Sequence, residues 1–242
     1  MTLTAQIKDT ITRIAEGKTF RYSDLPIDKE EFVSAAKVLE RLQKDSSIKK
    51  LTKGVFYKPK KTLFGELKPD YTEQLNLVLF DGDKRIGYET GLGLYNRLGL
   101  TTQVAFRTKV ATTVRKNSID RELIKVDFVK SYNLITEENY QLLGLLDALK
   151  DIKDIPDTTI SNSIIILKNI IKDLSEKELV QMVDCSLTYP PRVRALLGAI
   201  LEEINTTQLF LDRIKASLNP FTKIFISISK DSCPTIKNWN IQ

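Results

Sequence analysis

Apolar residues at the start of the chain follow helical spacing and predict a first helix of about three turns. Gly17 is placed to end this helix. Its apolar face consists of Leu3, Ile7, Ile11 and Ile14. The segment Thr19–Leu25 then predicts a short extended entry and a one-turn helix near Ser23, which Pro26 prevents from continuing.

A longer helix is predicted after Pro26. Asp28 and Glu31 have the spacing of a capping box, in which two side chains satisfy backbone N–H groups at a helix start. The helix is expected to run to about Lys44. Its expected buried stripe consists of Phe32, Ala35, Ala36, Leu39 and Leu42.

Two short strand-like runs follow this helix. Ile48–Leu51 and Val55–Lys58 flank Thr52–Gly54, and Gly54 permits the positive φ that a tight hairpin needs. A helix, a short turn, a helix and a basic hairpin occur in the order of a winged helix-turn-helix. In that fold the last helix enters the major groove of DNA and the hairpin lies along the phosphate backbone. We therefore expect a DNA-binding domain over residues 1–61.

Charge supports this expectation. Residues 1–61 hold 14 basic and 8 acidic side chains, whereas residues 62–242 hold 23 of each, so the net charge of +6 resides in the first segment. Clustered Lys and Arg side chains neutralise phosphates. The side chains expected to bind duplex DNA are Arg21, Ser23, Ser34, Lys37, Arg41, Lys44, Lys49, Lys50 and Lys53.

Two observations weigh against a DNA interface. Isolated runs of lysine are most often a solvated face of a protein. Glu30 and Glu31 would also repel DNA near the start of the helix. A protein-interaction module, in which the hairpin contacts a protein instead of DNA, is a further alternative.

The remainder of the chain predicts a second domain over residues 62–242, joined through the connector Pro59–Gly65. We expect a mixed α+β fold with a helical C-terminal half. A helix over Asp70–Phe80 and a small-residue-rich helix over Thr90–Arg97 precede the β-branched segments Val104–Val114 and Ile124–Tyr132, which suggest a small antiparallel or mixed sheet. The later helices are expected over Glu137–Ile152, Ser161–Leu174, Glu176–Ser186 and Pro190–Ile204, with Thr136 and Asn139 as a variant capping box.

Composition excludes several classes of chemistry. The chain contains no histidine and two cysteines, which excludes imidazole bases and makes a disulfide framework or most zinc sites unexpected. Cys185 and Cys233 are expected to be core residues. No signal peptide or membrane-spanning stretch is evident, so a cytoplasmic protein without a membrane partner is expected. We expect no catalytic residue, metal or cofactor.

A few short motifs could carry chemistry. Asp81 and Asp83 could imitate the two-carboxylate metal site of a nucleotidyl-transferring enzyme, although a turn around the intervening glycine is the favoured interpretation. Gly91 and Gly93 are attributed to helix packing, because a phosphate-binding loop needs a longer glycine pattern.

Two further features lie near the C-terminus. Pro190-Pro191 predicts a helix start. Arg192 and Arg194 behind it are expected to be exposed or to pair with carboxylates such as Glu202, with contact to RNA or a toxin as an alternative. Trp239 is expected to anchor the C-terminal tail.

Five segments resemble signatures of the AbiEi-like antitoxin and transcriptional regulator family of bacteria. They are Gly65–Pro69, Ile86–Gln103, Leu145–Ile152, Tyr189–Ala199 and Leu218–Thr222. The long central segment, Ile86–Gln103, is the most specific of them.

The resemblance implies a winged-helix repressor of its own promoter. It also implies a C-terminal domain that counteracts a co-encoded nucleotidyltransferase toxin of a type IV-like toxin-antitoxin, or abortive infection, system, either directly or through the toxin's target. A stand-alone regulator is the main alternative, and an enzyme acting on nucleic acid is a weaker one.

Overall fold

The computed structural model describes residues 2–63, 65–114, 116–120, 125–226, 228 and 231–242. The chain divides into two compact units. The N-terminal unit comprises Met1–Lys84, and the C-terminal unit comprises Arg85–Asp120 and Lys125–Gln242, as far as the described residues extend. The mixed α+β class expected from the sequence is confirmed.

The first elements of the N-terminal unit agree with the sequence pattern. Its sheet has the order β1-β3-β2 and is antiparallel throughout, with Phe20 opposite Phe56. Single 3₁₀ turns at Tyr22–Asp24 and Lys29–Glu31 precede the second helix. The elements are α1 (Leu3–Arg13), β1 (Thr19–Arg21), α2 (Phe32–Lys44), β2 (Lys49–Thr52) and β3 (Val55–Tyr57).

One hydrophobic cluster joins α1, α2 and this sheet. It includes Ile7, Phe20, Leu39 and Phe56. The predicted stripe on α2 was wrong in part: the buried residues are Ala35, Val38, Leu39 and Leu42. Phe32 is 49% exposed and Ala36 is only half-buried. The reason is that the first turn of α2 extends past the core, where the Phe32 ring packs on Tyr22 at a centroid distance of 4.6 Å.

The N-terminal unit continues beyond the predicted connector. Pro59–Gly65 was expected to be a connector, but β4 (Lys60–Thr62) pairs antiparallel with β5 (Gly65–Leu67) to form a second hairpin. The helix α3 (Tyr71–Leu79) and the short strand β6 (Phe80–Asp81) follow. The compact unit therefore ends at Lys84, whereas the change in composition lies near Thr62.

The C-terminal unit contains a four-stranded mixed sheet of order β10-β11-β9-β8, which confirms the expected sheet. β11 is parallel to β9, and the other neighbours are antiparallel. The strands after β7 (Lys84–Arg85) are β8 (Gly87–Thr90), β9 (Thr108–Thr112), β10 (Ile119–Asp120) and β11 (Lys125–Lys130). The predicted helix over Thr90–Arg97 is shorter, as α4 (Leu92–Arg97). Ile124, at the start of the predicted strand, lies outside the described residues.

The helical C-terminal half was predicted well. Helices α5, α6, α7 and α8 lie within the four predicted segments, apart from an additional first residue in α6. Two further elements, α9 and a 3₁₀ segment at Pro234–Trp239, were not predicted. The helices are α5 (Tyr140–Lys150), α6 (Ile160–Lys172), α7 (Glu176–Ser186), α8 (Pro191–Glu203) and α9 (Gln208–Ala216). They enclose the larger hydrophobic core, which includes Leu143, Ile164 and Ile200.

Several side chains of this unit have the roles expected of them. Cys185 and Cys233 are buried free thiols. Trp239 is 2% exposed and its Nε1 donates to Glu202 Oε2 at 2.6 Å, so the expected anchor is confirmed. At the start of α5, Thr136 N donates to Asn139 Oδ1 at 2.9 Å, which is one half of the predicted capping box.

The expected pairing of Arg192 and Arg194 with Glu202 was wrong. Arg192 Nη2 donates to the Lys150 carbonyl at 2.6 Å, and Arg194 Nη1 donates to the Ser217 carbonyl at 2.5 Å. Both carbonyls lie at the ends of helices, where backbone oxygens lack a partner within the helix. These two arginines therefore cap helix C-termini.

Candidate nucleic-acid interface

The outward side of α2 carries the charged residues that the sequence singled out. A helix turns by about 100° per residue, so Lys37 and Lys44 lie opposite the buried residues Ala35 and Leu42. Ser34, Lys37, Arg41 and Lys44 are all exposed. The fold thus leaves these charged and polar side chains of α2 in contact with solvent.

Two of these cations are not paired with a carboxylate. Lys44 Nζ forms an ion pair with Glu40 Oε1 at 3.0 Å. Lys37 and Arg41 form no ion pair with any residue that the structure describes. Since an exposed ion pair contributes at most about 1 kcal/mol, Lys44 can exchange Glu40 for another anion.

The hairpin of β2 and β3 follows α2 and presents three lysines. Lys50 and Lys53 are exposed and without an ion pair within the described chain, and Gly54 has φ +77°, as the turn requires. Lys49 instead forms an ion pair with Glu66 on β5. Their hydrogen bond raises the pKa of Lys49 and lowers the pKa of Glu66. Lys49 is therefore bound by a carboxylate of its own unit and is less available to an external phosphate than Lys50 and Lys53 are.

Arg21 and Ser23 are engaged in contacts within the N-terminal unit. Arg21 Nη2 donates to the Leu77 carbonyl at 2.7 Å, and its Nη1 lies 3.9 Å from Asp81 Oδ1. Ser23 Oγ donates to Asp24 Oδ1 at 3.2 Å. The structure consequently places these two residues apart from the free cations of α2 and the hairpin.

Acidic residues after Thr62 change the charge distribution that the sequence suggested. Residues 1–84 hold 16 basic and 13 acidic side chains, a net charge of +3, and residues 85–242 also carry +3. Three of the added carboxylates lie against cations that precede them. Glu73 binds Lys18, Glu66 binds Lys49, and Asp81 lies near Arg21.

These pairs engage Lys18, Lys49 and Arg21. Exposed lysines elsewhere in the unit, such as Lys8 and Lys29, also have no ion pair among the described residues, but α2 and the hairpin that follows it present a surface with several such cations. We call this surface the basic face and define it by Ser34, Lys37, Arg41, Lys50 and Lys53. The sequence pattern did not predict that Glu66 pairs with Lys49 or that Asp81 lies near Arg21, because these partners are far apart along the chain. It also overlooked Lys60 and Lys61, which are exposed on β4.

The other candidate motifs have structural roles. Gly82 has φ +58° in the turn between β6 and β7, so the turn interpretation of Asp81-Gly82-Asp83 is confirmed. Among the described residues, no group of three or more histidine, cysteine, aspartate or glutamate side chains could hold a metal ion. A Cβ on Gly93 would collide with the Glu89 carboxylate, which supports the packing explanation for this glycine.

One family model matches most of the chain. Residues 6–179 match the family described as "Family of unknown function (DUF6088)". The chain belongs to the DUF6088 family. The match runs from within α1 to the first turn of α7 and thus extends into both compact units of this DUF6088 chain. No curated protein matches the sequence. None of the described helices is long and apolar enough to cross a membrane.

Proposed function

We propose that this DUF6088 protein binds duplex DNA through its N-terminal unit, with residues 1–61 acting as a winged helix-turn-helix. The observation that carries the proposal is the basic face: α2 exposes Lys37 opposite its buried side and Arg41 beside that position, and the hairpin that follows exposes Lys50 and Lys53. Helix α2 would lie in the major groove, and the hairpin would lie along the phosphates. The element order from α1 to β3 supports this arrangement.

The two groups of cations would have different tasks. Lys37 and Arg41 would approach base edges or the flanking phosphates, whereas Lys50 and Lys53 would contact only phosphates. Phosphate contacts strengthen binding to every sequence, and contacts on base edges distinguish one sequence from another. The alternative of a solvated lysine face is weakened because nearby carboxylates pair with Lys18, Lys49 and Arg21 but not with the basic face.

In the cell, the proposed target is the promoter of the protein's own operon. The resemblance to AbiEi-like proteins suggests an autorepressor that is also the antitoxin of a type IV-like toxin-antitoxin system. In this proposal the C-terminal unit counteracts a nucleotidyltransferase toxin encoded beside it, without catalysis and without a cofactor. The separate packing and core of the C-terminal unit support a separate task for it.

A gel-shift titration of the full-length protein on its promoter DNA tests the binding. Lys37→Ala/Arg41→Ala should weaken promoter binding at least tenfold. Lys50→Ala/Lys53→Ala should weaken binding to all duplexes and reduce the salt slope by about 0.9 for each lost phosphate contact. Lys172→Ala/Lys177→Ala, which removes two exposed charges from the C-terminal unit, is the matched control. If all three double variants bind alike, or if the wild type does not bind, the proposal fails.

A further inference from the structure

An exposed apolar side chain lies at the centre of the outward side of α2. Val33 is the second residue of this helix and is 66% exposed. At about 100° per residue, Val33, Lys37 and Lys44 lie within about 40° of one another. The isopropyl group therefore points away from the core that Ala35 and Leu42 enter.

Val33 contributes nothing to the core of the N-terminal unit, which includes neither Val33 nor a partly buried contact from it. The residues that follow it along this side of the helix are Lys37, Glu40 and Lys44, and the last two form an ion pair. A β-branched side chain also lowers helix propensity slightly. Folding alone thus gives no reason for valine at this position, where exposed apolar surface costs free energy in water.

The chemistry of the major groove offers a partner for such a side chain. Each base pair presents hydrogen-bond donors and acceptors there, and the 5-methyl group of thymine is the apolar feature of its edge. In helix-turn-helix proteins, base edges are contacted by residues near the N-terminus of the second helix. Val33 lies in the first turn of α2, whereas the cations Lys37, Arg41 and Lys44 follow it along the helix.

We propose that Val33 packs against the 5-methyl group of a thymine and so makes the protein sensitive to sequence at that base pair. This inference rests on the proposed function, because it requires α2 to enter the major groove. Lys37 lies one turn after Val33 on the same side of α2, and the Glu40 carboxylate farther along that side is held by Lys44. The unpaired cations of α2 and the hairpin identify duplex DNA as the occupant of this surface, since an apolar protein partner would have to bury Lys37. Val33 is stiff at χ1, so it presents its methyl groups in a fixed direction.

The test compares thymine with deoxyuridine, which differs only by the lost methyl group. Full-length wild-type protein first selects duplexes from a random pool at low salt. Each thymine of the selected site is then replaced singly by deoxyuridine. At one position the wild type should lose about threefold to fivefold in affinity, as expected for one buried methyl group. Val33→Ser should lose this sensitivity, whereas Val33→Ile should keep it.

Two controls separate this inference from the proposed function. Val104→Ser changes another exposed valine, 86% exposed in the C-terminal unit, and should respond to deoxyuridine as the wild type does. Binding of Val33→Ser to random duplex at low salt should equal that of the wild type, which also shows that the variant is folded. If no duplex is retained by the wild type, the proposed function itself fails.

The remaining outcomes test the role of Val33 without testing the proposed DNA binding. Retention of DNA without enrichment of any sequence would overturn the role of Val33 while DNA binding stands. So would a selected site at which no thymine is sensitive to methyl removal. Equal sensitivity in the wild type and in Val33→Ser would show that another residue contacts the methyl group. Loss of all DNA binding in Val33→Ser, with Val33→Ile unaffected by deoxyuridine, would also contradict the inference.

Discussion

At the scale of single residues, an extensive hydrogen-bond network of the C-terminal unit surrounds a buried carboxylate. Asp147 is 2% exposed and accepts hydrogen bonds from Tyr88 OH at 2.9 Å, Thr90 Oγ1 at 2.9 Å and Tyr189 OH at 3.1 Å. Lys150 Nζ lies 3.2 Å from Asp147 Oδ1, the oxygen that also accepts from Tyr189. A buried charge needs such partners, because its desolvation costs several kcal/mol. These residues tie α5 to β8 and to the segment that precedes α8.

The tyrosines of this network predict a loss of stability in alkali. Burial, together with the nearby carboxylates Asp147 and Asp151, raises the pKa of Tyr88, Tyr95 and Tyr189. A group whose pKa is raised by folding stabilises the fold fully below its unfolded pKa, about 10 for tyrosine, and this stability is lost as the pH rises further. The free energy of unfolding of the C-terminal unit should therefore fall steeply above about pH 10.

Tyr95→Phe tests this expectation. Urea unfolding, followed by the fluorescence of Trp239, the single tryptophan, should give a pH slope smaller by about 1.4 kcal/mol per pH unit than in the wild type. An unaltered slope in Tyr95→Phe would contradict the argument, even if the variant is less stable at neutral pH.

At the scale of elements, the hairpin of β4 and β5 modifies the basic face. Glu66 on β5 holds Lys49, so Glu66→Gln should release a further cation toward DNA. The variant should bind duplex DNA about threefold to tenfold more tightly at low salt, with a salt slope steeper by about 0.9. Glu16→Gln, at an exposed carboxylate of the same unit, makes the same change in net charge. An equal gain in DNA affinity in both variants would mean that the net charge of the protein, and not the release of Lys49, determines the affinity.

The same hairpin shows which elements sequence could predict. Helices α1, α2 and α5 to α8 have apolar stripes and caps that act within a few residues, so their positions follow from local pattern. β4 and β5 are rich in exposed polar residues and have no alternation to detect. Helix α9 did carry a signal, because Phe210, Leu211 and Ile214 are buried at helical spacing, but exposed Leu209 obscures it.

The candidate site was predictable to a similar degree. The exposure of Lys37, Arg41, Lys50 and Lys53 follows from the helical and hairpin patterns alone. The engagement of Arg21 with Leu77 could not be foreseen, because this contact joins residues 56 apart in sequence. Val33 could have been singled out only by asking why an apolar residue occupies a charged side of a helix.

At the scale of the whole molecule, long-range contacts set the division between units. Composition changes near Thr62, but α3 is held to the N-terminal unit by Glu73, which binds Lys18 and accepts from Thr19 N at 3.3 Å. The hydrogen bond raises the pKa of Lys18. Such contacts leave no trace in local composition.

A fragment of residues 85–242 should therefore fold by itself. It retains the four-stranded sheet and the larger core, and it should melt cooperatively without binding DNA. A fragment of residues 62–242 should be no more stable and less soluble, because α3 would lose the partners that Lys18, Thr19 and Arg21 provide. Calorimetry of both fragments checks this. Cooperative melting of the longer fragment alone would place the functional boundary at Thr62.

The division also allows repression and protection to be separated. The nucleotidyltransferase toxin that we propose to be encoded beside this chain is expressed from a foreign promoter, so that repression of the native promoter cannot restrain it. Residues 85–242 should then restore growth, whereas residues 1–84 should not. Full-length Asp81→Ala/Asp83→Ala should protect like the wild type, because this pair forms a turn.

Each other result has a definite meaning. Protection by residues 1–84 alone would assign the antitoxic effect to the N-terminal unit. Failure of the folded Asp81→Ala/Asp83→Ala protein would make these carboxylates part of an active site and would favour an enzyme acting on nucleic acid. If neither fragment nor the full chain protects while promoter binding persists, the protein is a stand-alone regulator, since a basic face suffices for DNA binding and requires nothing of the C-terminal unit.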